Sequence, residues 1–150
     1  MASAQDLSAR EYYIDTTLAA DGVPEAVIVS SDARPAYAEI AARVQRRIQE
    51  LSGVEVPIVE AGDTSTDEVL ADRCAIVLGN LATSEFVADL YKQWYTMLDM
   101  FYPGPGGYVL RSLHDPYGTG RNVIFLGGSD DAGVARAADV FIKTLGEGDP

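Results

Sequence analysis

The feature that most constrains this chain is a module found three times: a short apolar run, a turn built from glycine or small polar residues, and an amphipathic stretch. Its clearest copy is residues 122–146, NVIFLGGSDDAGVARAADVFIKTLG. Residues 122–126 are apolar and β-branched over the length of a strand and end at Gly127-Gly128. Ser129 or Asp130 then stands where a helix N-cap oxygen accepts free amide hydrogens, and Asp131 adds negative charge to the positive first turn. Val134, Ala138, Phe141 and Leu145 follow at spacings of four, three and four, one apolar stripe, and Gly146 suits the helix end. The same grammar recurs over residues 26–51 and 75–100. A strand followed by a one-sided helix, three times, predicts a sheet that carries helices, because each stripe must be buried.

In the first copy, residues 26–29 form a buried strand, Ser30, Ser31 and Asp32 supply capping oxygens, and Pro35 fits the first helical turn. Tyr37, Ile40, Ala41, Val44, Ile48 and Leu51 make one stripe, closed by Gly53. Arg43, Arg46 and Arg47 concentrate positive charge, and a solvated helix face accounts for them more simply than an anion site. Residues 54–59 contain Pro57, which cannot donate to a ladder, so this strand reads as an edge strand or one with a bulge. Residues 61–72 read as a polar loop with one helical turn at 67–70.

In the second copy, residues 74–78 are a strand and Thr83-Ser84-Glu85 cap a long helix. Its stripe is Phe86, Leu90, Trp94, Met97 or Leu98, and Phe101. Residues 102–107, YPGPGG, end that helix in a corner poor in side chains. Residues 108–113 and 122–126 then pair antiparallel across a turn-rich connection. The expected architecture is α+β, α/β-like: a single mixed sheet of five strands with three helices, in the order β-α-β-β-α-β-β-α. Residues 1–24, with a small Tyr12-Tyr13-Ile14 patch, read as a partly ordered arm, and residues 25–150 as one domain.

Eleven Lys and Arg against 23 Asp and Glu give a formal charge of −12, which removes the attraction that nucleic-acid binding depends on. No apolar run approaches the roughly 20 residues needed to cross a bilayer, so no membrane partner is expected. Cys74 is the sole cysteine, which excludes an internal disulfide and a thiolate metal cluster, and the compartment stays open.

Candidate chemistry is sparse. The turn at residues 127–133 is glycine-rich between strand and helix, yet it fits neither GxGxxG nor the Lys-bearing phosphate loop, and Asp130-Asp131 repel a phosphate. His114 is the only histidine. A Ser-His-Asp relay would require Ser112 or Ser129 to reach it. There is no HExxH motif and no His pair, so neither a metal nor a cofactor is expected. Trp94 with Tyr91 or Tyr95 could offer a sugar-stacking face, though aromatics at helical spacing more often line a core.

The Gly-Tyr that leads into a strand (Gly107, Tyr108, Val109, Leu110), the hairpin to residues 123–126, and the alanine-rich helix after Gly128 resemble the N-terminal accessory domain that precedes the catalytic barrel in chitobiases, β-hexosaminidases and α-glucuronidases. The resemblance covers residues 26–145. It implies a zincin-like fold without the metal site, no catalytic residues, and the catalytic domain of the same polypeptide as partner, in the context of polysaccharide breakdown. The expected role is interdomain stabilisation or positioning, as part of a soluble, secreted or periplasmic enzyme. Tyr102, Pro103, Tyr108, His114 and Tyr117 are the expected interdomain or ligand contacts. Two other readings are a carbohydrate-binding module whose exposed aromatics hold oligosaccharide, and a small stand-alone hydrolase around His114.

Overall fold

A computed structural model describes residues 15–31, 34–62 and 66–146. The patch at residues 12–14 and the capping Asp32 lie outside them. Its elements in chain order are β1 (Ala19–Ala20), β2 (Val23–Pro24), β3 (Ala26–Ser30), α1 (Pro35–Ser52), β4 (Ile58–Glu60), α2 (Thr66–Asp72), β5 (Cys74–Gly79), α3 (Glu85–Lys92), β6 (Tyr108–Leu113), β7 (Val123–Gly128) and α4 (Asp131–Gly146). The main sheet has five strands in the order β4-β3-β5-β7-β6. It is mixed: β4, β3, β5 and β7 run parallel, and β6 closes one edge antiparallel to β7. Strands β1 and β2 form a separate two-stranded hairpin.

The inner parallel strands β3, β5 and β7 read as unbroken apolar runs because both faces of the sheet are covered there. Alternation then sorts their side chains. Ala26, Ile28, Ile76, Leu78, Ile124 and Leu126 face a core shared with α1 and α4, which includes Tyr37, Ile40, Val44, Val134, Ala138 and Phe141. Val27, Val29, Ala75, Val77, Val123 and Phe125 face the opposite core, with Val69, Leu70, Phe86, Val87, Leu90 and Leu98.

Pro35 occupies the first turn of α1 and Gly53 caps its end in the left-handed conformation, as their positions predict. Arg34, however, is the N-cap residue and its side chain makes no capping bond, and Leu51 is exposed. Arg43 pairs with Asp139 and Arg47 with Glu50, so two of the three clustered arginines serve surface ion pairs. Strand β4 is only three residues long and lies at the sheet edge, preceded by Pro57.

Two expectations need correction. The acidic stretch before β5 holds a helix, α2, because Val69 and Leu70 are buried against the sheet, which makes four helices among the described residues where three were expected. The long helix after β5 is short. α3 stops at Lys92: the amide of Trp94 donates to Tyr91 O at 3.1 Å, and that of Tyr95 to Leu90 O at 2.9 Å. Those two bonds make the Schellman arrangement, whose left-handed position is normally glycine. Here it is Trp94, at φ 65°. Rotated out of helical register, the segment buries Leu98 while Trp94, Met97 and Phe101 face solvent.

Candidate functional site

The chain leaves β3 through α1 to reach β4 on one side, then returns to place β5 on the other side of β3. Because α1 and α3 cover opposite faces, the loops after β3 and β5 diverge and leave a crevice beyond the carboxyl ends of the strands. The crevice, about 640 Å³ in volume, is lined by Arg34 after β3, by Asn80, Leu81 and Ala82 after β5, and by Ser129, Asp130, Asp131 and Ala132 at the start of α4. Its remaining wall is Asp99, Met100 and Phe101.

A buried phenol ties these loops together. Tyr37 is fully buried, and its hydroxyl donates to Asp131 Oδ1 at 2.9 Å. The same oxygen accepts from Asn80 Nδ2 at 3.2 Å and Thr83 Oγ1 at 3.4 Å. Arg34 Nη1 lies 3.4 Å from Asp131 Oδ2. Burial, joined by the hydrogen bond and charge of Asp131 and opposed by Thr83 and Arg34, pushes the Tyr37 phenol up to about 12. It therefore stays protonated at neutral pH and acts as a strut from α1, holding a carboxylate at the start of α4 and an amide and a hydroxyl of the β5–α3 loop in fixed relation. Among the described residues no buried side-chain polar atom lacks a partner.

The glycine-rich turn before α4 has a structural occupant. Asp130 caps α4: Oδ1 accepts the Gly133 amide at 2.8 Å and Oδ2 accepts the Gly106 amide at 2.8 Å. These two amides, chiefly that of Gly106, hold its carboxyl below the ordinary range. Ser129 Oγ accepts the Gly104 amide at 3.1 Å, the Ser129 amide donates to Gly107 O at 3.1 Å, and Arg136 Nη1 donates to Gly106 O at 2.9 Å. A β-carbon on Gly133 would lie 2.1 Å from Gly107 O. The glycines thus admit the backbone of residues 104–107 at the place where a phosphate loop would admit its ligand.

Beyond the crevice, the segment after α3 exposes an unusual amount of apolar surface. Trp94 is 80% exposed, Met97 63%, Met100 67%, Phe101 84% and Tyr102 61%. Asp99 Oδ1 accepts the amides of Phe101 and Tyr102 at 2.7 and 2.8 Å, so the segment is a folded turn. Tyr91, Met97 and Tyr102 bound a second groove of about 600 Å³ against Val109 and Arg111 of edge strand β6.

Of the residues singled out in the sequence, Tyr102, Pro103 and Tyr108 come together at one end of β6 and are exposed. His114 and Tyr117 lie past its other end. Tyr117 is half-buried, edge-on to Phe86, with its hydroxyl donating to Asp89 Oδ2 at 2.8 Å, so its ring supports α3. Since Tyr108 pairs with Gly128 and Leu113 with Val123, His114 and Ser129 sit a strand apart, roughly 20 Å for six residues. A Ser129–His114 relay is ruled out by that register.

Sequence reasoning favoured a buried stripe for Trp94, Met97 and Phe101, with exposure weighed only for Trp94 as a sugar-stacking face, and it missed the grouping of Arg34, Asn80 and Asp131. The second had no linear signal: Tyr37 and Asp131 are 94 positions apart. Among the described residues, no group of three or more His, Cys, Asp or Glu side chains could hold a metal ion, and no helix is long and apolar enough to cross a membrane. A scan of known protein families finds no family model that matches this chain, and a search among curated proteins finds no match.

Proposed function

We infer that this chain is a non-catalytic accessory domain of a larger carbohydrate-active enzyme, which it stabilises or positions by docking on the catalytic domain of the same polypeptide. The observation that carries this reading is the run of large apolar side chains from Trp94 to Tyr102, exposed on a turn with defined hydrogen bonds and continued by Tyr108 at the start of β6. Contiguous apolar surface rimmed by polar groups marks interaction sites in soluble domains. Supporting it are the resemblance over residues 26–145 and the use of the strongest polar cluster, around Tyr37, to hold loops together.

The test compares hydrogen exchange in this chain with that in the full polypeptide its gene encodes. Amides of residues 91–102 should be protected in the longer protein, and Trp94 fluorescence should shift to shorter wavelength. A reading frame that encodes no catalytic domain, or identical exchange in the two proteins, sinks the proposal.

A further inference from the structure

The crevice at the carboxyl ends of β3, β5 and β7 makes a separate demand on what fills it. Its walls carry one guanidinium, Arg34, and three carboxylates, Asp99, Asp130 and Asp131, beside the apolar surfaces of Leu81, Met100 and Phe101. An anion meets net negative charge there, and the Gly133 amide of α4 is already taken by Asp130. An organic cation meets Arg34, and the carboxylates are committed: Asp130 to two amides, Asp131 to Tyr37 and Arg34, Asp99 to two amides. What suits such walls is a neutral group that both donates and accepts. Hydroxyls do this, since Arg34 can donate to them, and Asp99 Oδ2, which takes neither amide, together with the second lone pairs on Asp130 and Asp131, can accept their protons.

Arg34 and Asp131 remain reachable, with side chains 56% and 36% exposed. Phe101, 84% exposed on the rim, offers a flat apolar face on a backbone fixed by the Asp99 turn. A ligand with hydroxyls on its edge and C–H bonds on its face satisfies both features. The volume, about 640 Å³, falls within the range of small-ligand sites. We propose that this crevice binds a neutral sugar residue of a glycan, stacked on Phe101 with its hydroxyls on Arg34 and Asp131. Met100 and Phe101 belong to this crevice as well as to the docking surface, whereas Trp94 and Met97 lie outside the crevice, so Trp94→Ala separates a failure of docking from a failure of sugar binding.

Titration of the isotope-labelled chain, followed by amide chemical shifts, tests this with named probes: cellotriose, mannotriose, a β-galactotriose, tri-N-acetylchitotriose, trigalacturonate and 2-phenylethylamine. At least one neutral trisaccharide should give saturable shifts at millimolar concentration, confined to the amides around Arg34, Asn80–Ala82, Asp99–Phe101 and Ser129–Ala132. Phe101→Ala should weaken that binding about fivefold, Arg34→Met should weaken it comparably, and Trp94→Ala should leave it unchanged. Both variants change exposed side chains, and their folding is checked by the remaining amide spectrum. No saturable shift with any neutral trisaccharide, shifts centred on Tyr91, Met97 and Tyr102 instead, tighter binding of trigalacturonate or 2-phenylethylamine, or indifference to Phe101→Ala would each overturn the proposal.

Discussion

Tyr37 is the residue on which the crevice depends. Its hydroxyl serves Asp131, Asn80 and Thr83 at once, so Tyr37→Phe takes the phenol from the buried Asn80 amide and from Asp131, while Thr83 keeps the Asn80 oxygens as acceptors. The expected cost is about 1–3 kcal/mol by urea unfolding at neutral pH. Alkaline behaviour gives a sharper test. The unfolded phenol ionises near pH 10, whereas the folded one keeps its proton up to about 12. The stabilisation is thus complete below about pH 10 and is lost as pH rises toward 12, and Tyr37→Phe should flatten that part of the stability profile. Asp130 has the opposite sign. Its carboxyl titrates lower when folded, so its contribution is present above the unfolded value, about 4, and is lost as the pH falls through the depressed folded value. Asp130→Asn should lower the melting temperature at neutral pH and reduce its dependence on pH in the acid range, as calorimetry from about pH 2 to 6 can read. An unchanged acid limb would mean that the Gly106 and Gly133 amides do not distinguish carboxylate from amide.

At the scale of elements, α3 is the informative case. Apolar spacing through Phe86, Leu90, Trp94 and Leu98 fits a continuing helix, and no glycine or asparagine warns of its end. The backbone turns at Trp94, where a left-handed non-glycine residue costs roughly 1–2 kcal/mol. Trp94→Gly should therefore stabilise the chain by about 1 kcal/mol, measured by chemical unfolding followed by far-ultraviolet circular dichroism. It should also abolish any docking that needs the indole. A loss of stability would show instead that the ring contributes packing. This explains what the sequence could and could not disclose. Helices α1 and α4 were legible because propensity, caps and stripe agree, from Pro35 to Gly53 and from Asp130 to Phe141. α3 was misread because tertiary burial of Leu98 overrode a local pattern that pointed elsewhere. α2 showed only as a turn at residues 67–70, since Val69 and Leu70 are few apolar residues in an acidic run. The five strands were visible as apolar runs, but the order β4-β3-β5-β7-β6 that creates the crevice is a property of pairing, which no local pattern carries.

The molecule as a whole sets exposed apolar surface against a formal charge of −12. Segment 94–102 and the outer edge of β6, which pairs with no further strand among the described residues, are both surfaces on which copies can meet, and mutual repulsion opposes the encounter at neutral pH. That repulsion has two handles. Raising ionic strength from about 0.01 to 1 M shortens its reach from about 30 to 3 Å, and lowering the pH toward the isoelectric value of 4.3 removes the net charge itself. The chain should be monomeric by light scattering at pH 7 and low salt, and should self-associate under either change. If the apolar segment is the contact, W94S/M97S/F101S should suppress association under both, because it removes the adhesive surface and leaves the charge unaltered. Association that survives in the triple variant would shift the contact to the β6 edge, where Ser112→Lys, at an exposed position of that strand, should then block it. A chain that stays monomeric at its isoelectric point would show that the exposed segment is too small or too polar at its rim to hold a partner, and the docking reading would lose its physical basis.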